Sequence, residues 1–352
     1  MKMVRTKIVD LKQVQISKGK MTDLVDITKE LSGKRVLSIG DMICDEYVYG
    51  EVSRISREAP VLILKFDSNM FRIGGAANAI SNLKALGAKV YPVGVVGKDN
   101  AGEEVISFLG KMGVNVDGII VDEDCSTVIK TRIMAGSYHT AKQQVIRIDK
   151  EKNFRINLIS EKKMLTYLDE VLNTMDAVLI SDYGYGTVSE TVYSAISRYV
   201  REKKLVLVVD SRYGLLNYKY ATAVTPNETE VEDVLHCNID GEKSLRNMAE
   251  RLKSEIKCEN AIITRGSKGI MVLDKNNKSA FIPIHGGTDV VDVAGAGDTV
   301  SAVVTLALSA GASAIEAAKL ANYAGSIVVM KTGAATATQK ELIDVVKHVK
   351  KS

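Results

Sequence analysis

The run Asp292-Val293-Ala294-Gly295-Ala296-Gly297-Asp298-Thr299 sets a glycine-rich turn directly ahead of an apolar, small-residue segment, Val300 to Ala310, that reads as a helix. Small residues at Gly295, Ala296 and Gly297 let backbone N–H groups converge, and the positive end of the following helix adds to them. Such a turn suits a phosphoryl group. A carboxylate beside that anion would repel it, so Asp298 makes chemical sense as a base that removes the proton of a hydroxyl attacking phosphorus. The plain alternative is a helix N-terminus whose glycines and acid serve only as a cap.

Further candidates lie where aliphatic runs end. Gly40-Asp41-Met42-Ile43-Cys44-Asp45 carries two carboxylates, Asp41 and Asp45, which can accept hydrogen bonds from the neighbouring hydroxyls of a sugar or cap the next turn. Gly74 and Gly75, opening the helical run with Asn78, permit close approach of a ligand to the backbone or tight packing. In Thr225-Pro226-Asn227-Glu228-Thr229-Glu230, Asn227 and Glu230 share one helix face. That face fits either the hydrated magnesium that accompanies ATP or a cap. Thr264-Arg265-Gly266-Ser267-Lys268-Gly269 joins two strands; its hydroxyls and amides suit phosphate oxygens, with Arg265 or Lys268 adding charge, or it is a simple hairpin turn. The four histidines, including His139 and His285, are scattered singly and read as structural or surface residues. No G-x-x-x-x-G-K-[ST] sequence is present, which excludes a P-loop.

These loops need a frame. Strand-like runs at 35–39, 90–96, 177–180, 205–209, 261–263 and 269–273 alternate with helical patterns near 75–87, 100–113, 161–173, 188–202, 228–236, 243–256, 296–310 and 313–331. The alternation predicts an α/β fold with a mainly parallel sheet covered on both faces, and ligands beyond the carboxyl ends of its strands. Residues 47–73 and 126–149 break the rhythm with β-branched, aromatic and charged residues, and they are expected to form a small β lid or surface hairpins. Residues 1–33 form an extension in which Leu24, Ile27 and Leu31 share a helical face; it packs on the body or on another subunit. Residues 34–352 form one domain.

Composition narrows the function. The chain has 352 residues, 46% hydrophobic and 26% charged, with a net charge of +4 and a single short basic run at its end. Nucleic acid and membrane surfaces are not expected as partners. Four scattered cysteines suit reduced thiols in a cytoplasm, and no export or membrane-spanning segment is evident.

Four of these motifs in this order, Gly74 to Asn78, Pro226 to Glu230, Thr264 to Gly269 and Asp292 to Asp298, resemble the ribokinase-like (PfkB) carbohydrate kinases from about Lys34 to Lys340. The resemblance implies a three-layer fold with a β lid that often serves in homodimers, and ATP and magnesium as cofactors. It implies Asp298 as catalytic base and Gly295, Ala296 and Gly297 as anion hole. Asn227 and Glu230 would act on magnesium through water, and Thr264, Gly266, Gly269, Asn322 and Ala324 would meet the nucleotide. Asp45, Gly74, Gly75 and Asn78 would meet the sugar, with Asp41 a further candidate from its place at the strand end alone. A monovalent cation near Asp292 and Lys331 to Thr336 is compatible with the family.

Gly40-Asp41 with Asp45, Ser53 to Pro60, Ile146-Arg147-Ile148-Asp149, Ser181-Asp182-Tyr183-Gly184 and Thr332 to Thr336 are similar to the D-glycero-D-manno-heptose 7-phosphate kinases. That subgroup implies phosphorylation of the anomeric hydroxyl to a 1,7-bisphosphate. Tyr185 stands where it usually has Lys, Asp210-Ser211-Arg212 where it has Asp-Pro-Lys, and Ala294 where Thr is frequent. The first two departures bear on which sugar phosphate is used; the third leaves a backbone anion hole intact. A phosphorylated sugar would need cations far from Asp298, and the candidates are Arg54, Arg57, Lys130, Arg132, Arg147 and Arg212, with Arg147 and Arg212 foremost. Many relatives carry a nucleotidyltransferase domain after the kinase; this chain ends soon after the match, so that activity is not expected of it. The rival readings are a kinase of the same fold for another sugar, and a catalytically silent sugar or nucleotide sensor.

Overall fold

The computed structural model describes residues 23–136, 142–151, 156–286 and 290–351; residues 1–22 of the extension and His139 lie outside them. In chain order the strands are β1 (Arg35–Gly40), β2 (Met42–Ile55), β3 (Leu62–Gly75), β4 (Lys89–Gly97), β5 (Ile119–Asp122), β6 (Val128–Gly136), β7 (Gln143–Lys150), β8 (Ala177–Asp182), β9 (Val206–Ser211), β10 (Ala223–Val224), β11 (Asn260–Thr264), β12 (Ile270–Leu273) and β13 (Ser279–Ile282). The helices are α1 (Leu24–Glu30), α2 (Ala76–Ala85), α3 (Asn100–Lys111), α4 (Leu158–Val171), α5 (Glu190–Lys203), α6 (Glu228–Leu235), α7 (Gly241–Ile256), α8 (Ala296–Ser309), α9 (Ala314–Val328) and α10 (Gln339–Lys351).

Nine strands form the large sheet in the order β13-β12-β11-β10-β9-β8-β1-β4-β5, parallel except at the β11-β12-β13 edge. Its central strands are near-continuous aliphatic runs because both faces are covered. In β1, Val36 packs toward α2, α8 and α9, while Leu37 and Ile39 pack toward α4 to α7, the alternation a strand imposes. The result is a three-layer sandwich with one apolar core on each side of the sheet. Ile27 and Leu31 are buried in the first of these, so α1 packs on the body of its own chain, beside α10.

The two irregular stretches form a second, four-stranded sheet, β3-β2-β6-β7, with β2 and β6 parallel and the other pairs antiparallel. Its strands are longer than expected. The segment read as a loop at 40–45 instead leaves β1 and enters β2 at once, which puts Asp45 on the lid and leaves Asp41 at the junction of the sheets. Three short strands, β5, β10 and β13, have no counterpart among the expected runs, being of four, two and four residues.

Candidate active site

The turn before α8 is held in a shape only glycine adopts easily. Gly295 has φ +76°, and a Cβ there would lie 2.4 Å from Asn78 Nδ2. The same constraint acts on the facing turn, where Gly75 (φ +55°) would drive a Cβ to 2.6 Å from the Asp41 carbonyl oxygen. Two helix starts therefore approach each other, and Asp298 on α8 meets Asn78 on α2. Asn78 Nδ2 donates to Asp298 Oδ2 at 2.7 Å. Thr299 Oγ1 donates to Asn82 Oδ1 at 2.8 Å and clamps the same two helices one step further on.

Asp298 is 4% exposed. Burial pushes its carboxyl up to about 6, against the opposing pull of its hydrogen bonds from Asn78 and Tyr183, and the Asp45 carboxylate raises it a little more. A carboxyl in that range is ionised near neutral pH yet basic enough to take a proton. Tyr183 supplies the second donor, its hydroxyl reaching Asp298 Oδ1 at 2.9 Å. Its place among the site residues was not apparent from the sequence; the available signal was that it follows the carboxyl end of β8.

Asp41 is corrected from a sugar ligand to the support of that loop. Its Oδ2 accepts from the amides of Tyr183 (2.8 Å) and Tyr185 (3.1 Å), and its Oδ1 accepts from that of Thr187 (3.1 Å). At 2% exposure it offers a ligand almost nothing. Asp182 steadies the loop from below, accepting from Gly184 N, Ser211 Oγ and Tyr218 Oη.

Beside the turn lies a cavity of about 700 Å³ whose lining includes Tyr183, Asp210, Arg212, Asn227, Thr229, Glu230, Thr264, Val293, Gly295 and Gly297. Ala296 does not contribute its amide, which closes the turn onto the Val293 carbonyl at 3.2 Å. Asn227 and Glu230 form a reciprocal cap, Asn227 Oδ1 accepting from Glu230 N and Glu230 Oε2 from Asn227 N, both at 2.8 Å. The cap engages Oε2 of Glu230, whose side chain also lines the cavity. Burial raises the Glu230 carboxyl, with nearby Arg212 pulling the other way. Asp210 is raised further, by burial first and then by Glu230, Asp298 and Asp182.

Several expected positions lie elsewhere. Arg212 lines this cavity with Asn227 and Glu230. Arg265 is consumed by Glu228 (2.9 Å) and Glu242 (3.5 Å), and Gly266 and Gly269 shape the turn between β11 and β12. Ala324 is fully buried, and Asn322 Nδ2 donates to the Pro283 carbonyl at 2.7 Å.

On the other side of Asp298 the lid presents its inner face. Asp45 lies there with Gly74 beside it, Asp45 Oδ1 accepting from Arg132 at 3.1 Å. Arg147, about half exposed, pairs with Asp149 at 2.8 Å, and Lys130 donates to Tyr185 Oη at 3.1 Å. Arg54 and Arg57 sit on the exposed outer end of the β2–β3 hairpin. A second cavity, of about 450 Å³, lies between lid and body, lined among others by Tyr47, Tyr49, Arg72 and Thr332 to Thr336. Asp292 joins its floor to the glycine turn, accepting from Ala294 N and Gly333 N, both at 2.9 Å.

A family model described as pfkB family carbohydrate kinase matches residues 34–341. Two relatives, both called bifunctional protein HldE, are 38% identical over 312 residues (Desulfatibacillum aliphaticivorans) and 37% identical over 310 (Helicobacter pylori). Each alignment takes in 88% of this chain, which spans 63% and 66% of the two relatives' lengths. In fold, the chain is similar to an Arabidopsis thaliana ribokinase solved with ribose and ATP, with a TM-score of 0.71 at 18% identity over 90% of this chain and 99% of that one. It is similar also to Escherichia coli phosphofructokinase-2 solved with potassium, at 0.70 and 16% identity over 91% and 99%.

Proposed function

Since the chain belongs to the pfkB family of carbohydrate kinases, we propose that it transfers the γ-phosphoryl group of ATP to the anomeric hydroxyl of D-glycero-D-manno-heptose 7-phosphate, giving the 1,7-bisphosphate. The observation that carries the reading is the buried Asp298, held by Asn78 and Tyr183 at the mouth of an amide-lined turn. ATP lies with its polyphosphate in the cavity bounded by Arg212, Glu230, Thr264, Gly295 and Gly297. The sugar lies on the lid side, against Asp45, Gly74, Gly75 and Asn78.

The acceptor hydroxyl gives its proton to Asp298, and its oxygen attacks phosphorus in line with the departing diphosphate. The amides of Gly295 and Gly297 and the N-terminus of α8 face the charge that develops on the transferred group. Magnesium, when bound with ATP, supplies positive charge to the polyphosphate. Its protein contacts would run through water, because Glu230 and Asn227 are tied in their cap and no group of three His, Cys, Asp or Glu among the described residues is placed to hold a metal directly. A monovalent cation near Asp292 and the 331–336 loop is part of the same reading.

The heptose assignment rests on the subgroup likeness of the lid and strand-end motifs. A silent sensor would have no use for a base so placed. No helix among the described residues is long and apolar enough to cross a membrane; the four free cysteines suit the cytoplasmic site of action proposed for the enzyme. The lid's outer face, where Ile146 and Ile148 are exposed, is the surface assigned to homodimer formation. A coupled assay against phosphorylated and unphosphorylated sugars tests the substrate. Turnover with heptose 7-phosphate should far exceed that with heptose, ribose or fructose, and equal turnover of a neutral sugar contradicts the assignment.

A further inference from the structure

A sugar that already carries a phosphate brings a dianion, and the lid's inner face holds the charges available to meet it. Across the four strands one row in register reads Arg72, Asp45, Lys130 and Asp149, and the next reads Met70, Tyr47, Arg132 and Arg147. Rows two residues apart on a strand share a face. Those two rows carry four cations (Arg72, Lys130, Arg132, Arg147) against two carboxylates (Asp45, Asp149), with Glu151 close by through Tyr185, so cations outnumber carboxylates there.

The pairing within the face decides which cation is free. Asp45 lies opposite Arg72 in register but is taken by Arg132 at 3.1 Å. Asp149 is taken by Arg147 at 2.8 Å and approached by Lys130 at 3.5 Å. Arg72 has no carboxylate among the described residues, and it lines the 450 Å³ cavity between lid and body together with Tyr47 and Tyr49. It also stands at a suitable remove from the chemistry. Gly74 adjoins the helix that carries Asn78, and Arg72 lies two residues further out, roughly 6.6 Å along the strand.

We propose that Arg72 is the anchor for the phosphate the sugar already bears, its guanidinium fork taking two phosphate oxygens in the cavity walled by Tyr47 and Tyr49. Using Arg147 instead would require breaking its 2.8 Å pair with Asp149 and leaving that carboxylate to Lys130 alone, at 3.5 Å. The inference rests on the sugar-phosphate reading above.

The test is steady-state kinetics of the wild type, Arg72→Ala, Arg72→Lys and Arg147→Ala with heptose 7-phosphate, fructose 6-phosphate, unphosphorylated heptose and ATP. Arg72→Ala should raise KM for the preferred sugar phosphate by about tenfold or more, the usual weight of a charged hydrogen bond. It should leave KM for ATP and turnover of neutral sugar unchanged. Arg72→Lys should fall between, since a point charge cannot fork, and Arg147→Ala should weigh less than Arg72→Ala. Arg72 is exposed and unpaired, so its variants should melt with the wild type. If the wild type prefers phosphorylated sugar and Arg72→Ala keeps that preference, the anchor is overturned and the kinase reading stands. If the preferred sugar phosphate is not heptose 7-phosphate but Arg72→Ala abolishes the preference, the anchor stands and the heptose identity falls. A wild type indifferent to the phosphate overturns both.

Discussion

Tyr183 donates its hydroxyl hydrogen to Asp298 Oδ1 at 2.9 Å from a loop that hangs on the buried carboxylate of Asp41. This contact, with that of Asn78 on the other oxygen, favours the ionised form of a carboxyl that burial alone would keep protonated. Removing it in Tyr183→Phe should move the acid limb of the kcat–pH profile upward from near 6 by about one unit. KM for ATP should change little. An acid limb that stays in place shows that Tyr183 does not tune the base.

Ionisation of the buried Asp298 carboxyl also costs stability. Its folded value of about 6 lies above the 3.8 of a free carboxyl. Its contribution is thus fully present below about pH 4 and is lost as pH rises through about 6, by roughly 3 kcal/mol in all at 1.36 kcal/mol per unit. Asp298→Asn, which cannot ionise, should melt several degrees above the wild type at pH 8, and the difference should vanish near pH 4. Thermal melts across that range check it. A variant less stable than the wild type at pH 8 contradicts the burial argument.

Asp41→Ala leaves three amides of the 183–187 loop without an acceptor. It should lower stability on the order of 3 kcal/mol and reduce kcat through the displaced Tyr183. If Asp41 instead held the sugar, the loss would appear in KM for the sugar with stability intact. Urea unfolding measured beside kinetics separates the two.

Arg212→Ala should raise KM for ATP several-fold and leave KM for the sugar unchanged, because Arg212 shares its cavity with Glu230, Thr264 and the glycine turn. Glu230→Gln should raise the magnesium concentration needed for half-maximal rate. An unchanged magnesium response in a folded variant shows that Glu230 serves only its cap with Asn227.

The parts legible in the sequence were those whose chemistry is written in consecutive residues. The turn at Gly295 to Asp298 needs glycines and an acid within four positions, and the alternation of strands and helices fixes a parallel sheet. Asn78 was legible because it opens a helix behind two glycines. Tyr183 was not, since its meeting with Asp298 depends on the sheet and helix packing that joins positions 115 apart. Asp41 and Asp45 looked alike at a strand end, and only depth distinguishes the one that supports a loop from the one that faces the site. Arg72 sat unremarked among several basic residues of the lid. Its parity with Gly74 along β3 was the available signal, but parity identifies an inner face only once the strand's bounds are known.

The most direct measurement is a single-turnover reaction of enzyme, magnesium-ATP and D-glycero-D-manno-heptose 7-phosphate, followed by phosphorus NMR in the wild type and in Asp298→Asn. The wild type should form a second, anomeric phosphate as ATP becomes ADP. Asp298→Asn should bind ATP normally and form that product at least about a hundredfold more slowly, the usual weight of a general base. Loss of ATP without an anomeric phosphate, or an Asp298→Asn rate above a tenth of the wild type, would contradict transfer by this base.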